Sequence, residues 1–495
     1  MMLRRLGALG TCICLAGCAV GPNFVQPPSP EVDRYTAASL PATSPGKAQP
    51  FVVAEDVPTR WWSAFRSEPL DRLVRATVVR NPTLQAADAA IKVAHFNALA
   101  QRGLFFPQVS ASYGPSTQLS SNNEASDAPQ QRLSLHTAQL NIAYTFDVWG
   151  GNARAVESLD AVTEQQQFLL EATHLTLTAN VVTAAIGEAS LRGQIAATKK
   201  IVAIERDILG ILKSQFEAGQ AAQVDVLTQE AALAQVEQTL PPLEKQLAIQ
   251  RDLLTALAGN YSAAQVPERF ELARLSLPHN IPVLVPSTLV RRRPDVRAAE
   301  ANLHAVSAQV GVAVAARLPN ISVGASTAGA SATNFAQLFA PGTGFYLLAA
   351  NATQPIIDGM TLLHKQRAAE AALEQADAQY RQAVISALQN VADALQSLQH
   401  DAALVRAAAK SEAAAKASLD IIRKQLALGQ VNQVVVLNAQ QTYLNASIAH
   451  VQAEATRLSD AAALFMAIGG SWPAGCGTDW RSCVLDDLPI TAALQ

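Results

Sequence analysis

Cys18 is the residue whose surroundings most nearly specify a reaction. It closes the stretch Leu15-Ala16-Gly17-Cys18, behind Arg4, Arg5 and a short apolar run from Leu6 to Ala16. That run is too short to span a bilayer as a helix and reads as an export signal. A cysteine at this point resembles a bacterial lipobox, in which the thiol is thioether-linked to diacylglycerol and the preceding segment, 1–17, is cut away. Ala19 stands where a retention signal would place Asp, which implies sorting to the outer membrane. An ordinary signal peptide with a cysteine near its end is the competing reading.

Little else has the spacing of a reactive centre. Cys12 and Cys14 leave with the signal, so Cys476 and Cys483 remain. In an oxidising periplasm they are a candidate disulfide, with two unrelated thiols as the alternative. No two of the eight histidines are closer than the 25 positions between His279 and His304, so zinc-type spacing is missing and they read as exposed helix residues. Gly-x-Ser-x-Gly, phosphate-cradling glycine loops and His-Glu-x-x-His do not occur in the sequence. A net charge of −3 gives no electrostatic case for nucleic acid. We therefore expect no enzyme, no cofactor and no metal.

The elements are set out by proline. Residues 19 to 60 hold eight prolines and read as an extended leader, a tether from the lipid. No proline lies between Pro129 and Pro241, or between Pro355 and Pro473. Because proline costs about 3 kcal/mol inside a helix, these gaps mark where long helices run. The gaps belong to a duplication. Pro82 and Pro107 match Pro294 and Pro319 at an offset of 212, Asp147 matches Asp358 at 211, and Gly219 and Gly259 match Gly429 and Gly469 at 210. This predicts a signal (1–17), a leader (18–60), one structural repeat (61–285), a second (286–472) and a tail (473–495).

Inside each repeat two strands are expected, near 108–120 and 133–147, then 320–332 and 343–356. In the second of these, Leu140, Ile142, Tyr144 and Phe146 alternate with Asn141, Ala143 and Thr145, the period of a strand with one apolar and one wet face. Each is long enough for a membrane barrel strand, although four cannot close a barrel; a soluble two-hairpin sheet is the alternative. Long helices follow at 151–217 and about 360–428, each broken at one glycine, Gly219 or Gly429. In the first, Ile201, Ile204, Ile208 and Ile211 form one coiled-coil seam, and Val202, Leu209, Leu212 and Phe216 a second. The returning helix 223–258 should break at Pro241 and Pro242, and a further helix is expected over 288–317.

With these motifs in place, the lipobox, "RWWSAFRSEPLDRLV", "FFPQVSASYG", "YTFDVWGG", "VPSTLVRRRPDVRAAEANLHAVSAQVGVAVAARLPNISV", "QPIIDGM" and "ALFMAIGGSW" together resemble the outer membrane factor family. These are TolC-like lipoproteins that serve as exit ducts of tripartite efflux pumps. The resemblance implies a mainly helical protein with a membrane β-barrel. Its homotrimer would pool strands into a 12-stranded barrel, continued by a 12-helix periplasmic tunnel. Implied partners are a periplasmic adaptor, an inner-membrane transporter and outer-membrane lipid. The implied cargo is drugs or small toxic compounds; a duct for secreted polypeptide and a helical periplasmic scaffold are the alternatives. In such proteins the glycine turns form a closed tip that the adaptor engages, here Ala218, Gly219 and Gln220 with Leu428, Gly429 and Gln430. Some members place acidic residues after the second turn. Val435 and Asn438 stand there in this chain, whereas the first repeat carries Asp225. Three copies of Asp225 would make a carboxylate ring and a cation-selective gate; the alternative is an aspartate favoured by the helix dipole.

Overall fold

The computed structural model of the chain describes residues 19–36, 51–53, 58–119, 132–277, 281–283 and 285–470. The signal, Cys18, Cys476, Cys483 and the tail lie outside the described residues. Among the described residues two compact units are present, one built from 19–27, 90–167 and 298–381, the other from 28–89, 168–297 and 382–470.

The first unit contains the sheet. Its strands are β2 (Gln108–Leu119), β3 (Arg132–Phe146), β5 (Asn320–Ala332) and β6 (Gly344–Thr353); β1 (Phe51–Val53) and β4 (Ile281–Val283) form a separate parallel pair in the other unit. The four strands run antiparallel in the order β2-β3-β5-β6, with Val109 opposite Ile142, Tyr144 opposite Val323 and Ala325 opposite Leu348. Residues directly opposite share a face, so these registers collect the apolar positions on one side. On the other, Asn141 Nδ2 donates to Ser112 Oγ (3.2 Å) and Ser326 Oγ to Asn141 Oδ1 (3.4 Å). No residue of β2 or β6 is buried. The sheet is thus an apolar wall backed by a polar one, and the expected alternation of wet and greasy residues is realised.

Each hairpin is entered from a helix and left into one. α1 (Glu68–Arg80) stops at Asn81, which Pro82 forces into extended backbone (ψ 123°), and α2 (Pro82–Arg102) starts on that proline. The same happens in the second repeat. α6 (Pro286–Arg292) stops at Arg293 (ψ 121°), and α7 (Pro294–Ala315) starts on Pro294. The single helix expected over 288–317 is therefore two helices, because the residue before a proline cannot stay helical without a clash.

After each hairpin an aspartate caps the next helix. Asp147 accepts from the N–H groups of Asn152 and Ala153 (both 2.8 Å), opening α3 (Gly151–Glu217). Asp358 accepts from Met360 and Leu362 (both 2.9 Å), opening α8 (Thr361–Ala427). Both helices are 67 residues, about 100 Å at 1.5 Å per residue. The chain returns through α4 (Gln223–Glu237) and α5 (Leu240–Leu257), interrupted where Pro241 and Pro242 enter, and in the second repeat through the unbroken α9 (Gln433–Ala467).

The repeats also end alike. Asn81 Nδ2 donates to Leu257 O (2.7 Å), and Arg293 Nη1 to Ala467 O (2.8 Å). In each copy the residue before the proline therefore ties the entrance of the repeat to the last turn of its returning helix.

Candidate functional site

The two turns predicted as a tip share one geometry. At the end of α3 the Gln220 N–H donates to Gln215 O (2.7 Å) and the Gly219 N–H to Phe216 O (2.9 Å). At the end of α8 the Gln430 N–H donates to Gln425 O (2.9 Å) and the Gly429 N–H to Leu426 O (2.9 Å). This pair of bonds satisfies the last helical carbonyls and requires a left-handed residue, here Gly219 (φ 70°) and Gly429 (φ 69°). No atom lies within 4 Å of a Cβ built on either glycine, so it is the backbone angle, not crowding, that demands glycine. Ala218, Gly219, Gln220, Leu428, Gly429 and Gln430 are all exposed.

Beyond the turns the repeats diverge. α9 is capped by Asn432, whose side chain accepts from the Val435 N–H (3.2 Å). α4 has Ala222 at that position, with no side-chain cap, and Asp225 is the acid in its first turn. Asp225 is half-buried, and its own N–H bonds Ala222 O (3.1 Å). A carboxylate there offsets the positive end of an otherwise uncapped helix.

Beneath both turns lies one core. Ile208 and Leu212 of α3, Val226 of α4 and Val436 of α9 are buried together, with Ile422 and Leu426 of α8 packed against them. Further from the turns, Ile201, Val202, Val236, Leu419 and Tyr443 anchor a second cluster. The expected seams hold only in part. Ile204 and Leu209 are partly buried, but Ile211 and Phe216 are 46% and 44% exposed. The buried stripe instead follows 201, 205, 208 and 212, the spacing of one helix face, and so passes through Glu205.

Glu205 is therefore a carboxyl in the wall between two apolar clusters, 2% exposed. Gln229 Nε2 donates to the Glu205 carbonyl (3.1 Å) and to its carboxylate, and Gln433 Nε2 donates to Gln229 Oε1. With buried Gln440, these side chains make a polar layer linking α3, α4 and α9. Reading the isoleucines as the seam hid this layer; the available signal was Glu205, the one polar residue on the stripe of Ile201, Ile208 and Leu212. Burial raises the Glu205 carboxyl above its ordinary range, against the pull of the Gln229 and Gln440 amides. Native protein then keeps this proton to higher pH than unfolded chain, so stability falls as pH rises from the ordinary carboxylate value to the raised one. Glu205→Gln should flatten that decline, seen as a melting temperature that falls less than wild type as pH is raised above the ordinary carboxylate range. An identical pH profile would show that Glu205 does not titrate in this window.

His174 overturns the expectation of exposed helix histidines. It is 6% exposed beside Trp62, and burial pulls its imidazole down to about 4. One turn away, burial pushes the Glu171 carboxyl up to about 7 against the pull of Arg297. No group of three or more metal-ligating side chains occurs among the described residues.

Comparison with known proteins places this geometry. The chain is 28% identical over 484 residues to the pyoverdine export outer membrane protein OpmQ of Pseudomonas putida, covering 96% of this chain and 99% of that protein. The structure of the outer-membrane channel OprN superposes with a TM-score of 0.82 at 24% identity, over 92% of this chain and all of the other. The outer membrane channel CmeC of Campylobacter jejuni superposes with a TM-score of 0.85 at 19% identity, over 94% and 97%. The outer membrane efflux protein family matches residues 73–260 and 285–470, the two repeats themselves. This chain belongs to the outer membrane efflux protein family.

Proposed function

We propose that the chain is the exit duct of a tripartite efflux pump, passing drugs or small toxic compounds outward without a catalytic step of its own. Three copies would join their sheets edge to edge into a closed barrel, anchored through lipid on Cys18. The turns at Ala218–Gln220 and Leu428–Gln430 would meet a periplasmic adaptor that connects to an inner-membrane transporter. The observation that carries this reading is the sheet. Among the described residues β2 and β6 each have one edge with no partner strand, and one face of the sheet is apolar and largely exposed, met in part by Phe335, whose ring packs edge-on against Tyr113 at 5.8 Å. Open edges cannot persist in lipid, and closure by further copies removes them. The exposed turns support the docking end. The test is export: cells lacking the chain should retain pump substrates and regain export with the wild-type copy, and a photo-crosslinker at Leu428 should capture the adaptor. Normal export without the chain would refute the assignment.

Asp225 is the gate residue in this reading, one carboxylate per copy. Asp225→Asn should reduce the cation preference of the reconstituted trimer about several-fold, because a neutral ring no longer favours positive ions. Unchanged selectivity would leave Asp225 with its helix-end role alone.

A further inference from the structure

The leader was expected to be a tether, yet its first residues are built into the fold. The Val20 N–H donates to Trp149 O (3.0 Å) in the turn between β3 and α3. Arg154 of α3, 5% exposed, donates to Val20 O (3.2 Å) and Asn23 Oδ1 (2.6 Å). Arg154 is itself held by Glu157 (2.7 Å), which His304 Nε2 approaches to 3.0 Å, and the Phe24 ring stacks on His304 at 4.4 Å. Gly21 crosses α7 at Gly311 so closely that a Cβ on Gly21 would lie 2.4 Å from Gly311 Cα. A Cβ on Gly311 would lie 2.8 Å from the Arg154 side chain and 2.9 Å from Val20 O. Both positions therefore require glycine.

Beside this clasp is a crevice of about 510 Å³, at the end of the sheet where strands meet helices. Leu104, Phe106, Phe146, Trp149, Val312 and Leu318 contribute to its largely apolar lining. Leu104, Phe106 and Phe146 remain 51%, 69% and 44% exposed. Trp149 Nε1 is satisfied by Pro319 O (2.8 Å), leaving the indole ring as apolar wall. Ala19 packs on Gly150, next to crevice residues Trp149 and Gly151. Cys18 is the residue that precedes Ala19 in the sequence. An apolar crevice large enough for an acyl chain thus opens where a lipidated residue must emerge.

We propose that the crevice is the binding site for one acyl chain of the lipid on Cys18, and that the Arg154 and Gly311 clasp delivers the chain to it. This rests on the lipidated outer-membrane reading above. The lipid is then a packed part of the strand-to-helix junction, covering apolar surface that would otherwise face water. The leader thus begins as a clamp on α3 and α7.

The experiment feeds cells a fatty acid carrying a terminal diazirine, irradiates them and maps cross-links in the purified full-length protein by mass spectrometry. The expected result is a cross-link from lipid on Cys18 to crevice residues, chiefly Phe106, Trp149 or Leu318. It should fall at least several-fold in Gly311→Val and in the Asn23→Ala, Phe24→Ala leader variant, with Cys18 still acylated. The leader variant leaves α3 and α7 untouched, so its result does not depend on Gly311→Val folding. Acylated Cys18 with cross-links only to bulk lipid or to other surfaces would overturn the proposal. Crevice cross-links that persist in Cys18→Ser would assign the crevice to a free membrane lipid and equally overturn it. Absence of acylation at Cys18 would overturn the underlying lipoprotein reading, a distinct outcome.

Discussion

Glu188→Ala is expected to lower the unfolding free energy by about 3–5 kcal/mol, because it removes one partner of a buried charge cluster. The Glu188 side chain is fully buried; its Oε1 accepts from Arg192 Nη2 (2.7 Å) and Arg251 Nη1 (2.9 Å). Arg251 of α5 in turn donates to Val266 O (2.8 Å) and Glu268 O (3.3 Å). One carboxylate of α3 thereby holds the returning helix and the loop behind it. Without it, the Arg251 side chain, 14% exposed, keeps its charge and loses its counterion. Chemical denaturation of the detergent-solubilised protein checks the magnitude, and proteolysis within 261–271 should appear early in the variant. A loss below about 1 kcal/mol would show that water already solvates this cluster.

Trp61→Ala should cost a similar amount, about 3–5 kcal/mol, but by a different mechanism. Trp61 is 1% exposed, stacks on Phe465 of α9 at 5.5 Å and meets Trp62 and Phe65 edge-on at 6.2 and 6.3 Å. It joins the entrance of the first repeat to the end of the second. Its Nε1 is buried and has no hydrogen-bond partner among the described residues, so the penalty on truncation is transfer plus cavity. Trp61→Phe, which keeps most of the apolar volume, should recover most of the loss in the same denaturation measurement. Equal destabilisation by Phe and Ala would instead assign an unrecognised role to the indole nitrogen.

The elements legible in the sequence were those whose local rules agree with their tertiary setting. The strands came from alternation, and β2, β3 and β5 lie within a residue of their expected limits. The glycine turns came from the requirement for a left-handed residue after an uninterrupted helix. Asp147 and Asp358 were visible only as matched landmarks, and the structure gives their reason as two copies of one helix cap. What stayed hidden depended on contacts distant in sequence. Arg293 was placed inside a helix although Pro294 follows it, and its function as a tie to Ala467 could not be read locally. Glu205 and His174 are polar residues on buried faces, where residue type alone argues for exposure. The leader clasp needed Gly21 and Gly311 brought together from opposite ends of a long interval.

The helical-scaffold alternative is excluded by family membership and by a sheet of four long strands. The remaining central claim is that this sheet, and not the lipid alone, holds the chain in the outer membrane as a conducting channel. The direct measurement uses the Cys18→Ser protein, which cannot be acylated at that position. It should still require detergent for extraction from the outer membrane and should give stepwise ion conductance in a planar bilayer. A Cys18→Ser protein that is soluble without detergent and produces no conductance steps would contradict the account.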